Sequence, residues 1–305
     1  MKISVMITTR SRCVDLRRTL DRLGGMDPLP DEILICADGC QDETVSMLIQ
    51  QYAHVRLFEN HEPVGSVGSR NRLLREAEGD WVLSLDDDSY PLDNAFFARI
   101  RDVIASHPEA AVISFPECRD KGVFAGMDKT PSVPGHYVSS YANCGAIMDR
   151  AFYLRQPGFP PIFGHMYEEP DFSIQCYAAG SSVWFEPSLT IQHHQSPVQR
   201  NHVRRHHQNA RNELWSVWMR CPRTWIPFVS AFRLVRQLQY ACKEGFVWAV
   251  QEPLWWGEAF AGLGQVRKRR KKVRWEVYLA WMRLARNPIR TKEELREAFR
   301  RVDSI

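Results

Sequence analysis

The residues best suited to chemistry fall in three places. Asp86, Asp87 and Asp88 follow the apolar run WVLSL at 81–85. Three adjacent carboxylates repel one another and cost stability unless a cation or solvent neutralises them. Hard divalent cations such as Mg²⁺ or Mn²⁺ prefer carboxylate oxygens, and are often held by one or two carboxylates plus substrate phosphates. Glu168 and Glu169 stand before Pro170 and an amphipathic stretch with Phe172, Ile174, Cys176 and Tyr177. Pro suits a first helical turn, and acidic side chains there gain from the helix dipole. His193 and His194 end an apolar strand pattern at 183–194. Each group also has a plain structural explanation: a solvated acidic turn, a capped helix, a polar strand end.

The elements that must position these residues alternate along the chain. Runs at 3–8, 32–37, 55–58, 81–85 and 111–115 read as strands. Segments 14–23, 44–51, 67–77 and 94–106 read as helices, with Asp42 as a cap for the second. Such alternation implies βαβ units and a mostly parallel sheet. Ligands bind such sheets beyond the carboxyl ends of the strands. Thr8, Thr9 and Arg10 follow the first strand, Asp38 the second, and the three aspartates the fourth. The stretch GSVG at 65–68 lacks the Gly-Lys-Ser/Thr ending of a phosphate loop, and TTRSR follows the first strand where a dinucleotide fingerprint has glycines. Kinase and dehydrogenase readings fall away.

The chain of 305 residues suits one large domain, or one domain plus an appendage. Residues 1–190 hold 17 Lys+Arg against 27 Asp+Glu, whereas residues 191–305 hold 23 against 9. Eight of the ten Trp lie in the second part. No apolar run approaches the roughly 18 residues that span a bilayer, and the N-terminus reads as a strand, not a signal peptide. The eight cysteines show no CxxC pair and suit free thiols in a reducing cytosol.

The ordered motifs resemble the inverting family 2 glycosyltransferases of the GT-A fold. The matching stretches are SVMITTR at 4–10, ICADGCQDET at 35–44, GSVGSRNR at 65–72 and LSLDDDSYP at 83–91. They continue with MYEEPDFSIQCYAAG at 166–180 and VWFEPSLTIQHH at 183–194, the last resembling a closing strand pair that ends in His. The likeness covers roughly residues 2–215. It implies a Rossmann-like, mostly parallel sheet flanked by helices, as a transferase domain over 1–215, and a basic, Trp-rich helical extension over 216–305.

The resemblance also implies roles. Thr8, Thr9, Arg10, Asp38, Arg70, Asp86 and Asp87 would contact the nucleotide, Asp38 accepting from an imide N–H of a UDP- or dTDP-sugar. Arg70 could instead brace the aspartates. Asp88, with Asp86 and His193, would hold Mn²⁺ or Mg²⁺ at the diphosphate. Glu169, with Glu168 as second choice, would be the base that takes the acceptor hydroxyl proton. Asp171 would cap its helix or bind acceptor, and His194 would bind acceptor. The processive synthases carry Gln-x-x-Arg-Trp after this point; here 208–215 reads QNARNELW. That departure favours transfer of a single sugar. The loops at 115–142 and 157–166 would shape the pocket for a saccharide or lipid-linked acceptor.

Aromatics interleave with Arg and Lys over 222–286, ending in RKRRKKVR at 267–274. This composition suits an anionic membrane surface. The expected setting is the cytoplasm, peripheral at the inner face of the plasma membrane. Packing on the catalytic domain is the alternative, and no motif supports nucleic-acid binding. Nothing in the sequence assigns an oligomeric state. Two rival functions are a sugar-phosphate nucleotidylyltransferase and a non-catalytic scaffold derived from the same fold. The first lacks its Gly-rich loop after the first strand, and the intact acidic residues argue against the second.

Overall fold

Residues 3–9 form β1 (Ile3–Thr9), and all but one of its side chains are buried. A strand covered on both faces needs a near-continuous apolar run, which ISVMITT supplies. β1 lies between β2 (Glu32–Asp38) and β4 (Trp81–Asp86), parallel to both, and β3 (Arg56–Asn60) pairs in parallel with β2. The crossovers are α1 (Cys13–Gly24), α2 (Thr44–Gln51) and α3 (Ser66–Glu76). Helix α1 buries Leu16, Thr19, Leu20 and Leu23, spaced three or four residues apart as one helical face requires. The computed structural model describes residues 1–125, 129–195 and 201–300. Residues 126–128 of the 115–142 loop and the last five of the C-terminal region lie outside the described residues.

The chain continues through β5 (Ser89–Pro91), α4 (Phe96–Ser106), β6 (Ala110–Ser114), β7 (Glu117–Cys118), β8 (His136–Tyr137), β9 (Ala146–Asp149) and α5 (Arg150–Arg155). α6 (Glu168–Ala178), β10 (Ser182–Phe185) and β11 (Ile191–His193) follow. The main sheet has the order β3-β2-β1-β4-β9-β6-β10-β8. β9 enters antiparallel between β4 and β6. The hydrophobic pattern missed it because AIMD spans only four residues. β10 and β11 do not form the strand pair expected over 183–194. β10 joins the main sheet beside β6, while β11 lies between β5 and β7 in a small second sheet. Asp42 also differs from expectation: Glu43 occupies the cap position, and Asp42 accepts from Thr44 N at 3.1 Å and Cys13 N at 3.0 Å.

The C-terminal region is helical: α7 (His202–Arg220), α8 (Ile226–Glu244), α9 (Phe246–Ala249), α10 (Glu252–Ala261), α11 (Leu263–Lys268), α12 (Trp275–Leu284) and α13 (Lys292–Arg300). The boundary expected at 215 falls inside α7. That helix buries Ala210, Leu214, Val217 and Met219, and packs against α8, α10 and α11. α12 returns to the sheet domain, where Trp281 Nε1 donates to Ser139 O at 2.9 Å.

A buried ion pair ties α7 to α6. Arg220 Nη2 lies 2.7 Å from Asp171 Oδ2, with side chains 2 % and 0 % exposed. Ser216 Oγ and Gln175 Nε2 also donate to Asp171. Removing one member of such a pair strands a desolvated charge. Arg220→Met is expected to destabilise the fold by about 3–5 kcal/mol, whereas Arg220→Met with Asp171→Leu should recover much of the loss. Urea unfolding of both variants checks this; equal losses would mean that the stranded charge is not the cause.

Candidate active site

The parallel strands end together, so β1, β2 and β4 deliver Thr8, Asp38 and Asp86 to one edge. A pocket of about 830 Å³ opens there. Thr8, Thr9, Arg10, Asp38, Arg70 and all three aspartates line it. So do Glu168, Glu169 and His193.

Asp38 is 5 % exposed, and its carboxylate takes Val64 N at 2.9 Å and Gly65 N at 2.8 Å, besides Asn60 Nδ2. It therefore shapes the loop that starts α3. Gly65 in that loop has φ +85°, and a Cβ there would meet Gly164 O at 2.5 Å. The backbone before α3 thus lies directly against the loop before α6, which no residue larger than Gly permits.

The small sheet assembles the acidic end of the pocket. β11 pairs with β5 so that His193 sits opposite Ser89, and with β7 so that Ile191 sits opposite Glu117. His193 Nε2 then lies 3.1 Å from Asp88 Oδ1 and 3.8 Å from Asp86 Oδ2. Its Nδ1 lies 2.8 Å from Glu117 Oε1. Burial disfavours the imidazolium, but hydrogen bonds to Asp88, Cys144 and Glu117 outweigh burial and hold its pKa well above the usual range. Burial opposes charge on Glu117 too, yet its bonds to His193 and Arg119 bring it down to about 2.

Ligand atoms of Asp86, Asp88 and His193 lie within 4.8 Å of one another. Two carboxylates and one imidazole suit Mn²⁺ or Mg²⁺, and Glu117 behind the imidazole is the kind of partner that fixes a ligand's orientation. The residues present therefore fit such an ion. The same distance limit also groups Glu117, Cys144 and His193. A thiol buried like that of Cys144 has its pKa pushed up to about 11 by desolvation, which disfavours the thiolate a metal needs.

Asp87 has a different job from its neighbours. Thr9 Oγ1 donates to one of its oxygens at 2.8 Å and Arg12 Nη1 to the other at 3.0 Å. Burial first, and then Asp88 and Asp86, push its pKa up to about 7 against the pull of Arg12 and Thr9. Its carboxylate ties Thr9 of β1 to Arg12, at the cap of α1, and still lines the pocket. Arg12 also lies 3.6 Å from Asp88 Oδ2.

Arg70 is 4 % exposed and spans the site, its guanidinium 2.6 Å from Asp86 and 2.8 Å from Glu168. It bridges Asp86 and Glu168 from within the pocket wall. Burial lowers its pKa, but Asp86, Glu168 and Glu169 raise it further than burial lowers it. Glu168 is buried and committed to this pair. Glu169 is only half-buried and accepts from Asn143 N at 3.3 Å. Burial and the neighbouring Glu168 raise the Glu169 pKa above the usual carboxylate range, against Arg70 and the Asn143 amide.

The backbone before these glutamates is strained. Met166 and Tyr167 both take left-handed conformations, at φ 73° and 71°. Non-Gly residues persist there only where the surroundings over-determine them, and such positions concentrate at functional sites. Asn212 on α7 supplies the constraint by donating to the carbonyls of Phe163, His165 and Met166.

Two expected site residues lie elsewhere. Asp171 is held by Arg220 in the core, does not line the pocket, and does not cap α6, whose cap position is Tyr167. His194 also lies outside the pocket lining, with Nε2 2.9 Å from Tyr90 Oη and Nδ1 2.8 Å from Asp120. Along a strand, successive side chains point to opposite faces, so His193 and His194 cannot both turn inward. Four contributors were not singled out from sequence: Arg12, Glu117, Arg204 and Arg205. The last two line the pocket with Asn201, Gln208 and Asn209, a helical spacing in α7 that could have flagged them.

The sheet, with an acidic cluster and a glutamate pair at its carboxyl edge, has the GT-A architecture. Residues 4–147 match the model of the Glycosyl transferase family 2. That match covers a little under half of the chain. The uncharacterized glycosyltransferase YwdF of Bacillus subtilis (strain 168) is 25 % identical over 120 residues, 38 % of this chain and 45 % of that protein. The chain thus spans less than half the length of that relative. Among solved structures, S. aureus TarS 1-349 in complex with UDP-GlcNAc superposes with a TM-score of 0.61 at 15 % identity, over 89 % of this chain and 82 % of that one. The mannosyltransferase PcManGT from Pyrobaculum calidifontis, in complex with GDP-Man and Mn²⁺, gives 0.59 at 16 % identity, over 93 % and 86 %. These likenesses concern the fold.

Proposed function

We propose that this protein is an inverting glycosyltransferase that moves one sugar from a nucleotide diphosphate sugar, a UDP- or dTDP-sugar, to a hydroxyl acceptor. The observation that carries the reading is the convergence of the Asp86, Asp88 and His193 ligand set with Glu169 on a single pocket. Fold relatives holding UDP-GlcNAc, or GDP-Man with Mn²⁺, support a nucleotide-sugar donor.

Thr8, Thr9, Arg10 and Asp38 border the nucleotide half of the pocket. Asp86 and Asp88, with His193 oriented by Glu117, would hold Mn²⁺ or Mg²⁺. A cation bound there would neutralise the diphosphate and the charge that builds on it as leaving group. Arg70 keeps Asp86 and Glu168 at a set separation. Glu169, freer than Glu168, accepts the proton of the acceptor hydroxyl as that oxygen attacks the anomeric carbon from the face opposite the diphosphate. Transfer in cell-surface polysaccharide or glycolipid assembly fits this chemistry. The basic run at 267–272 supports work at an anionic membrane, the inner face of the plasma membrane. No helix among the described residues is long and apolar enough to cross one. We treat residues 1–215 as the transferase unit and the remainder as its helical extension.

Calorimetric titration with UDP, dTDP and GDP, each with and without Mn²⁺, tests the reading. Binding of one nucleotide that depends on the ion is expected. Silence with all three would sink the proposal and favour a non-catalytic scaffold.

A further inference from the structure

The donor pocket is not the only opening along α7. A cleft of about 430 Å³ lies between α7 and α10, with Arg204, His207, Gln208, Arg211, Gln251 and Glu258 in its wall. Arg204 and Gln208 line the larger pocket as well, so the two spaces adjoin. The cleft favours an anion. Among its described lining residues the carboxylate, Glu258, is paired with Arg211 Nη1 at 2.9 Å, which leaves the Arg204 guanidinium as the net positive charge of the wall. Arg211 is kept in position by stacking over Trp215, 4.5 Å from the ring centre. His207 Nε2 is buried and has no hydrogen-bond partner among the described residues. A buried polar atom left unpaired costs free energy, and a ligand oxygen would relieve it. Guanidinium groups match phosphate geometry better than any other side chain.

The rim beside this cleft is apolar. Gln251 lies between Val250 and Leu254, and its amide donates to Val247 O at 2.8 Å. Phe246 is 81 % exposed, Val247 64 %, Val250 55 % and Leu254 62 %. Phe228, Phe232 and Val235 on α8, against which α9 packs, are also exposed. Isolated exposed apolar side chains are ordinary, but a run of them over three neighbouring helices marks an interaction surface. The basic run at 267–272, exposed except at Arg270, is anchored at the other end of α7. Arg270 donates to Cys221 O at 2.6 Å, and Trp275 stacks on Trp225 at 4.3 Å, just before α8. Apolar side chains flanked by Lys and Arg complement a bilayer that carries anionic lipid.

We infer that the α7–α10 cleft takes the phosphate-bearing headgroup of a lipid-linked acceptor, while the exposed apolar side chains of α8, α9 and α10 rest in the bilayer. The inference rests on the transferase reading of the adjoining pocket. It brings the acceptor to the pocket along α7, from the membrane side.

The test uses the full chain, co-sedimented with vesicles of phosphatidylcholine alone or mixed with phosphatidylglycerol. The parent chain is expected to bind the mixed vesicles at least about tenfold more tightly. Phe246→Ser with Val250→Ser and Leu254→Ser should lower that affinity by about tenfold or more. Neutralising 267–272 to Gln should remove most of the preference for phosphatidylglycerol. His207→Gln should weaken binding to the mixed vesicles severalfold and leave binding to phosphatidylcholine unchanged. Thermal unfolding and a donor titration verify that each variant is folded. Parent-like vesicle binding by the apolar variant overturns the inference, as does parent-like discrimination by His207→Gln. If the apolar variant only converts a dimer to a monomer in sedimentation velocity, the face belongs to a second copy and the inference is wrong. If soluble glycerol phosphate binds the parent and the apolar variant equally and displaces the vesicles, the phosphate source is not a lipid. Loss of donor binding by the parent would sink the transferase reading while leaving the vesicle result standing.

Discussion

Asp88→Ala is expected to abolish the ion-dependent part of nucleotide binding. Asp88 is 1 % exposed and faces His193 Nε2 at 3.1 Å, so its carboxylate sits at the centre of the ligand set. Its removal leaves one half-exposed carboxylate, Asp86, and an imidazole whose Nε2 has lost its nearest anion. Perturbing the outer partners of a metal ligand alone costs about 10–100-fold in affinity, and losing a direct ligand should cost at least the upper end of that range. Calorimetry with the preferred nucleotide, with and without Mn²⁺, reads the effect. Unchanged affinity in the presence of the ion would mean that the cluster is not the metal site. Asp88→Asn guards against misreading a folding defect, because it keeps the shape and loses the charge.

The second large effect is on turnover. Glu169→Gln should leave donor affinity near that of the parent while turnover falls by about 10²–10⁴-fold. The amide keeps the size of the side chain and cannot accept the hydroxyl proton. The pH dependence carries the same information. Burial and Glu168 raise the Glu169 pKa, so the deprotonated base form builds up only above the usual carboxylate range. Turnover of the parent should therefore climb with pH through that raised pKa, and the climb should vanish in Glu169→Gln. Glu168→Gln breaks the pair with Arg70 and should disturb donor affinity along with turnover. A selective loss of turnover in Glu168→Gln, with Glu169→Gln near normal, would move the base by one residue.

Much of the frame was legible before any coordinates. Strand runs such as ISVMITT and WVLSL stand out because burial on both faces demands apolar side chains throughout, and the intervening helices show a single apolar face. The edge rule for parallel sheets then singled out Thr8, Asp38 and Asp86 without any knowledge of their distances. Short antiparallel β9 escaped, because four residues carry too little periodicity to separate a strand from a loop. β11 escaped as part of the second sheet for the same reason.

Within the site, residue type alone did not separate functional from structural carboxylates. Asp171 read as a helix cap or an acceptor ligand, yet Arg220, 49 residues further on, claims it for the core. Glu117 carried no signal of its own, and gains one only because β7 pairs with β11 and brings it to His193 across 76 residues. Asp87 stands between two candidate metal ligands but turns to Thr9 and Arg12. The sequence by itself determined the alternation of elements, the acidic sheet edge and the glutamate pair at a helix start, since local periodicity and helix electrostatics are written in neighbouring residues. Only the tertiary structure decided which carboxylate meets a histidine, which meets an arginine and which stays free to take a proton. Those outcomes depend on pairings between segments far apart in the chain, and an aspartate has the same chemistry in the sequence whether its partner is a metal ion, a guanidinium or water.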